Sequence, residues 1–510
     1  MKIIDYMTIA IAALFSAAAL TCCSPEEKGV NGDTVTLSVD KTSLDFGAAA
    51  GEQVFNVETS GKLYVVPGAD WINASAKASG TPYKYSVTVS ANENVTREER
   101  TTRISVVAGD EKKYVEVRQQ AKGAEPVPEP EDNAAWQVLD KLGMGWNLGN
   151  QLDAHNNGVA GETVWGNPKA TQALFDKVKA AGYKSVRIPV TWLGKFGEAP
   201  EYKIDNDWLD RVAEVVGYAE NAGLNAIVNI HHDGGDSKYW LDIKTAAVND
   251  EKNAQIRQQI RAMWSQIAGK FRDKGDFLIF EAFNEIHDGK WGWGDNRTDG
   301  GKQYRCLNGW NQEFVDAVRA TGGNNASRLL VVPGYCTNID FTVSDMVLPE
   351  DTAKDRLIVA VHYYDPGDYT LNAKYSEWGH TADPSKKAPG SNEEQVTEAF
   401  VKLYDKFISK GVPVYIGEMG CGNRATEHEQ KFQRYWFEYV VKAAKTYGMS
   451  TFVWDNGAEG AGAETHAYFN HATGEFPSEG ARKAVETMVH AMNNEDPSYT
   501  LESVYANAPK

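Results

Sequence analysis

Residues 225–232, NAIVNIHH, and 277–285, FLIFEAFNE, share one design: an apolar run that turns polar at its last residues. Such a run reads as a short strand buried on both faces. The design recurs at GMGWNLGN (143–150), SVRIPVTW (185–192), RLLVVPGYCT (328–337), RLIVAVHYYD (356–365), PVYIGEMG (413–420) and STFVWDNG (450–457). Between most of these lie stretches whose apolar residues recur at three and four, at 169–182, 207–222, 251–274, 309–321, 392–410 and 427–447. They predict helices, and the link between the fifth and sixth strands is the least clearly helical. Eight strand-helix units predict an α/β fold, a (β/α)8 TIM barrel. An open doubly wound sheet would be favoured by a Gly-rich phosphate loop after a strand, and no Gly cluster has that setting.

In a TIM barrel the C-terminal strand ends share one face, where active sites are built. The polar and aromatic residues gather at those ends: Arg187 and Trp192 on the second strand, His231 and His232 on the third, Asn284 and Glu285 on the fourth. His362 and Tyr364 follow on the sixth, Glu418 on the seventh and Trp454 on the eighth. His362 and Tyr364 are two apart and face one side. Taken singly, a strand-end His or Glu is more often a satisfied structural residue than a catalyst, and Arg187 reads equally as a core ion-pair partner. Together they imply a polar pocket, because a buried charge is costly unless paired. Glycosidic cleavage needs one carboxylic acid to protonate the leaving oxygen. A second carboxylate attacks the anomeric carbon or activates water, and the distance between the two selects the outcome. Distinct pKa values for the pair require distinct surroundings.

The ordered motifs Gly145-Trp146-Asn147-Leu148-Gly149-Asn150, Arg187-Ile188-Pro189-Val190, Asn229-Ile230-His231-His232, Phe283-Asn284-Glu285, His362-Tyr363-Tyr364 and Ile416-Gly417-Glu418 resemble glycoside hydrolase family 5 over residues 136–490, closest to subfamily 4, the endoglucanases and xyloglucanases. The resemblance implies a retaining endo-β-1,4-glucanase acting by double displacement on xyloglucan, mixed-linkage glucan or soluble cellulose. It implies Glu285 as acid/base and Glu418 as nucleophile, with Asn284 on the sugar 2-hydroxyl. Arg187 and Tyr364 are expected to hold the nucleophile ionised and oriented. His362 and His231 are expected to support the acid/base and bind sugar, and Trp454 to form the stacking floor. Asn150 and His232 are expected to line the same side of the cleft. No metal and no cofactor is expected. Trp165, Trp192, Trp291 and Trp293 are candidate further stacking platforms, and Asp233-Gly234-Gly235-Asp236 reads as a turn.

A formal net charge of -18 disfavours nucleic acid and fits a neutral substrate. The 14 Trp and 23 Tyr suit sugar stacking, though they equally fill a large core. Of the five Cys, Cys22 and Cys23 lie in the leader, and Cys306, Cys336 and Cys421 are widely spaced with no CxxC, so a disulfide framework or zinc site is unexpected. Residues 8–20 form an apolar run of signal-peptide length, and Leu20-Thr21-Cys22-Cys23-Ser24 looks like a bacterial lipobox, with lipidation at Cys23 or, alternatively, Cys22. The expected address is the outer-membrane surface, anchored by lipid alone, with the chain a monomer. A plain secretory signal is the alternative. Residues 34–122 carry short alternating runs at sandwich-like spacing, and Leu44-Asp45-Phe46, Trp71-Ile72 and Val117-Arg118-Gln119-Gln120 resemble a BACON domain. That implies a small immunoglobulin-like sandwich, either a spacer or a carbohydrate binder through Tyr64, Trp71, Tyr83, Tyr85 or Tyr114, several of which must be core. Residues 123–132 alternate Pro and Glu as a stiff linker, and 133–510 form the catalytic domain. The alternatives are a β-mannanase, which His231-His232 and GWNLGN disfavour, and a transglycosylase. Another is a non-catalytic surface glycan-binding lipoprotein, which the presence of both Glu disfavours.

Overall fold

The computed structural model describes residues 35–94, 99–121 and 133–510. The leader with Cys22 and Cys23, and the segment 123–132, lie outside the described residues. The described residues fall into two compact units, one ending at Gln120 and one beginning at Ala121.

The first unit is a sandwich of two four-stranded sheets. One orders Leu37–Val39, Gly51–Thr59, Lys84–Ala91 and Ile72–Ala78; the other orders Ser43–Phe46, Glu111–Gln119, Arg100–Ala108 and Leu63–Pro67. Period-two alternation does the folding: Val115, Val117 and Gln119 face in while Glu116 and Arg118 face water. Phe55, Val57, Val87, Val89, Ile104 and Val106 make the core. Ile72–Ala78, INASAKA, escaped the strand reading because it is an edge strand with few apolar residues. Trp71 and Tyr85 pack against the core, whereas Tyr64, Tyr83 and Tyr114 are exposed.

The second unit holds a closed barrel of eight parallel strands. They are β1 (Met144–Leu148), β2 (Ser185–Ile188), β3 (Asn225–Asn229), β4 (Leu278–Glu281), β5 (Leu330–Pro333), β6 (Leu357–Tyr363), β7 (Val414–Met419) and β8 (Ser450–Asp455). Each lies inside its predicted run. The predicted helices appear as Gln172–Ala180, Asn206–Ala222, Asp250–Lys270, Lys302–Ala320, Glu393–Lys406 and Glu427–Thr446. Lys302–Ala320 starts well before 309 because Gly309 is carried inside it, packing overriding propensity. Between β5 and β6 the helix is only Ile339–Asp345. Residues beyond 493 add the helix Leu501–Ala506, whose Leu501 and Val504 are buried.

The barrel interior is layered. Ile227, Ile279, Val331, Ile358 and Phe452 form an apolar layer against Val138 and Leu142 of the helix Ala134–Leu142, which plugs the N-terminal end. Phe452 leaves no room over β1, where any Cβ at Gly145 would be driven into its ring. Nearer the C-terminal ends, the interior turns polar.

Candidate active site

Arg187 leaves β2 into the barrel and is fully buried. Its Nε donates to Glu281 Oε2 at 2.7 Å, Nη1 to Glu418 Oε1 at 2.7 Å and Asn147 Oδ1 at 3.0 Å, and Nη2 to Asn284 Oδ1 at 2.7 Å. Burial opposes its charge, but the carboxylates of Glu281 and Glu418 outweigh burial and hold the guanidinium well above its ordinary pKa. Glu281 also accepts from the Tyr415 hydroxyl at 2.8 Å and Asn229 Nδ2 at 3.1 Å.

Glu418 reaches this centre through a register break. Tyr415 points inward, so strict alternation would send Gly417 in and Glu418 out. Between Val361 and His362 the β6–β7 register shifts, and His362 pairs with Glu418. The bulge turns Glu418 into the mouth. Gly417 is required there, since a Cβ would lie 2.9 Å from the Tyr415 hydroxyl and 3.2 Å from His362 Nε2. The second Glu418 oxygen accepts from the Tyr364 hydroxyl at 3.1 Å. Burial, then the charges of Glu418 and Glu285, raise that phenol well above its usual range and keep its proton in place.

Glu285 sits just past β4. Its Oε1 lies 2.8 Å from His362 Nδ1, which is 3.7 Å from Glu418 Oε2. One oxygen of Glu285, one of Glu418 and a ring nitrogen of His362 lie within 4.8 Å of one another. The surroundings of the two acids differ: the Glu285 side chain is 20% exposed and the Glu418 side chain 7%. Burial works to raise Glu285, but the hydrogen bond and charge of His362, backed by His287 and Arg187, hold it below the ordinary carboxylate value.

His231 is fully buried, and burial with the charges of His232, Arg187 and His362 holds it neutral, well below its ordinary pKa. Asn229 Nδ2 lies 3.1 Å from its Nδ1, which puts the ring proton on Nε2, 3.9 Å from Glu418 Oε1 and too far for a hydrogen bond. His231 therefore lies beside Glu418. Trp454 lies parallel to the His231 ring at 2° and 6.0 Å. His232 meets His231 edge-on at 4.4 Å. Asn150, at φ 57°, donates its backbone N–H to Asp153 Oδ2, which is 3.7 Å from His232 Nε2. These contacts link Arg187, Asn284, Glu285, His362, Tyr364, Glu418, His231, His232, Trp454 and, through Asp153, Asn150.

Other candidates sort differently. Trp192 is fully buried, its Nε1 donating to the Asn229 carbonyl at 3.1 Å, so it is core and not a platform. Trp165, Trp291 and Trp293 are exposed. Asp233 is buried and caps the turn, accepting from Trp192 N and Trp240 Nε1, and burial raises it to about 6. Sequence reading passed over Asn147, Asn229, Glu281 and Tyr415. The available signal was Glu281 inside the apolar run FLIFEAF, a charge that demands a partner. Among the described residues, two groups have metal-ligand composition, Glu285–His362–Glu418 and Asp153–His231–His232. Within them, Glu418 accepts from Arg187 and Tyr364, His231 from Asn229, and Asp153 from the backbone N–H groups of Asn150 and Gln151.

Residues 152–460 match the family model described as cellulase, glycosyl hydrolase family 5. The chain belongs to glycosyl hydrolase family 5. It is a glycoside hydrolase, and residues 36–122 match the viral BACON domain. The family 5 chain is 39% identical over 343 residues to Endoglucanase A of Paenibacillus barcinonensis, covering 64% of this chain and 83% of that one. It is 32% identical over 487 residues to the xyloglucan-specific endo-beta-1,4-glucanase BoGH5A of Bacteroides ovatus, covering 91% and 92%. Among solved structures, a GH5-4 broad specificity endoglucanase from Bacteroides salanitronis superposes with a TM-score of 0.70 at 59% identity, covering 74% of this chain and 99% of that one.

Proposed function

We propose that this family 5 hydrolase is a retaining endo-β-1,4-glucanase of subfamily 4, cutting internal linkages of xyloglucan, mixed-linkage glucan or soluble cellulose. The observation that carries the mechanism is the approach of Glu285 and Glu418 to within 4.8 Å, oxygen to oxygen, at His362. Retaining enzymes hold the pair at roughly 5–5.5 Å; inverting ones need room for a water between. The endoglucanase and xyloglucanase relatives support the substrate class.

In this reading Glu418 is the nucleophile. Arg187 and Tyr364 donate to its two oxygens, fixing the carboxylate against rotation. Glu285 protonates the leaving oxygen with the proton held by the Glu285–His362 pair, then removes a proton from the attacking water. Asn284, oriented by Arg187, meets the sugar 2-hydroxyl. Trp454 and His231 supply the floor beneath the sugar. We further propose secretion and lipid anchoring at Cys23, supported by the leader, and a monomeric catalytic domain over 133–510.

Products from barley glucan, xyloglucan, carboxymethylcellulose and galactomannan test the substrate. Cleavage of galactomannan alone contradicts the glucanase reading. Glu418→Gln is expected to abolish turnover while the chain stays folded by circular dichroism; normal activity overturns the nucleophile assignment.

A further inference from the structure

On the loop after β7, Arg424 is a cation only 7% exposed. Its Nη2 donates to the Tyr369 carbonyl and lies 3.7 Å from Cys421 Sγ, and the guanidinium sits 4.6 Å from the centre of the Tyr369 ring. Burial pushes the Cys421 thiol up, so that partner is neutral. Arg424 Nε is buried and makes no hydrogen bond. Among the described residues no carboxylate forms an ion pair with Arg424. The nearby Glu429 is engaged at Thr426, accepting from its N–H at 3.1 Å and its hydroxyl at 2.9 Å. A buried charge without a counter-charge is costly. Arg424 lines a cavity of about 260 Å³, walled also by the start of the helix Glu427–Thr446, the loop after β8 and the start of the helix Glu479–Asn493. The last of these helices opens at Ser478, whose Oγ accepts from Ala481 N at 3.1 Å. The N–H groups of Glu479 and Gly480 belong to its first turn, which has no carbonyl inside the helix to receive them. Ser478 and Gly480 both line the cavity.

We propose that this cavity binds a small hydroxylated carboxylate, the size of a single sugar acid, between Arg424 and the start of the helix Glu479–Asn493. One positive charge calls for one negative charge, and the planar guanidinium edge matches the two oxygens of a carboxylate. The helix start adds donors and a favourable dipole for the same group. A dianion is disfavoured, because Glu459 stands exposed at the rim, where it accepts from Asn470 Nδ2 at 2.7 Å, and the chain carries a net charge of -18. The remaining wall suits hydroxyls. Gln430 and Gln433 donate to the Arg424 and Cys421 carbonyls at 2.9 and 2.8 Å, which leaves their amide oxygens as the acceptors. The Ser478 hydroxyl keeps its own proton to donate. At about 30 Å³ per water in the liquid, the cavity has room for more than a bare carboxylate. Its walls share no residue with the mouth around Glu285 and Glu418, so the site is independent of the glucan reading.

Isothermal titration of the full chain at fixed ionic strength tests this, with sodium glucuronate, acetate, sulfate and glucose as probes. Glucuronate is expected to bind saturably and more tightly than acetate, while sulfate and glucose show no saturation over the same range. Arg424→Gln is expected to weaken glucuronate about tenfold or more, the size of one charge-assisted contact. Arg424 also ties its loop to Tyr369, so a second variant leaves it in place. Gly480→Asp sets a carboxylate of the chain's own in the first turn of the helix, where an acid is favoured. It is expected to abolish glucuronate binding with Tm at or above the parental value. Parent protein that does not bind glucuronate saturably overturns the proposal. So does sulfate or glucose binding as tightly as glucuronate, or a Gly480→Asp variant with parental affinity.

Discussion

At the scale of single residues, Arg187 carries one positive charge between two buried carboxylates, Glu281 and Glu418. Removing it leaves both acids without their shared counter-charge. Arg187→Ala is expected to destabilise the fold by about 3–5 kcal/mol in urea unfolding. Adding Glu281→Gln should recover part of that loss, and a strictly additive double-mutant cycle would contradict the pairing. Asp233 makes a second residue-level prediction. Its folded pKa of about 6 exceeds the unfolded value of about 3.9, so the native state keeps a proton that the unfolded chain releases. The stability this contributes is present below about pH 4 and is lost as pH rises through about 6, to a total of about 3 kcal/mol. Asp233→Asn is expected to flatten unfolding free energy across that window; an unchanged slope would rule it out. Arg187 and Glu418 were legible in the sequence as strand-end charges. Glu281 was not, because one acid inside an apolar run shows its partner only when β2 and β7 close around it.

At the scale of elements, the decisive feature is the bulge in β7. Alternation along VYIGEM, read as a regular strand, sends Glu418 to the outer face once Tyr415 is placed inside. The shift opposite His362 reverses this, and Gly417 permits it because no Cβ fits against Tyr415 and His362. Gly417→Ala is therefore expected to lower kcat by at least about tenfold through displacement of Glu418, with a stability loss of about 1–3 kcal/mol from overpacking. An alanine variant with parental kcat would show that the close approach does not position Glu418. Helix positions were legible because their period survives in sequence, and capping confirms them locally, as in the Thr426–Glu429 capping box opening Glu427–Thr446. The short link between β5 and β6 was the weakest helical stretch to read, and it is the shortest of the crossovers. His231 illustrates the opposite limit: its strand end was evident, but its orientation toward Glu418 depends on Asn229 holding Nδ1.

At the scale of the whole molecule, the barrel separates stability from chemistry along its axis. Its floor is apolar and plugged by Leu142 and Val138, while its mouth carries the charges. Leu142→Ala is expected to cost about 2–5 kcal/mol and leave KM unchanged below the melting temperature. A KM shift without a stability loss would contradict that division. The chain's sequence by itself determined that eight buried strands alternate with helices, that a small β unit precedes them, and which polar residues cluster at strand ends. It could do so because burial periodicity and strand-end polarity are local properties of consecutive residues. Only the tertiary structure decided which of those residues touch: that Glu285 and Glu418 meet at His362, that Arg187 joins Glu281 to Glu418, that Trp192 is core, and that His231 lies beside Glu418. Those contacts join residues from different strands, so they exist only after the barrel closes and a one-residue bulge sets the register.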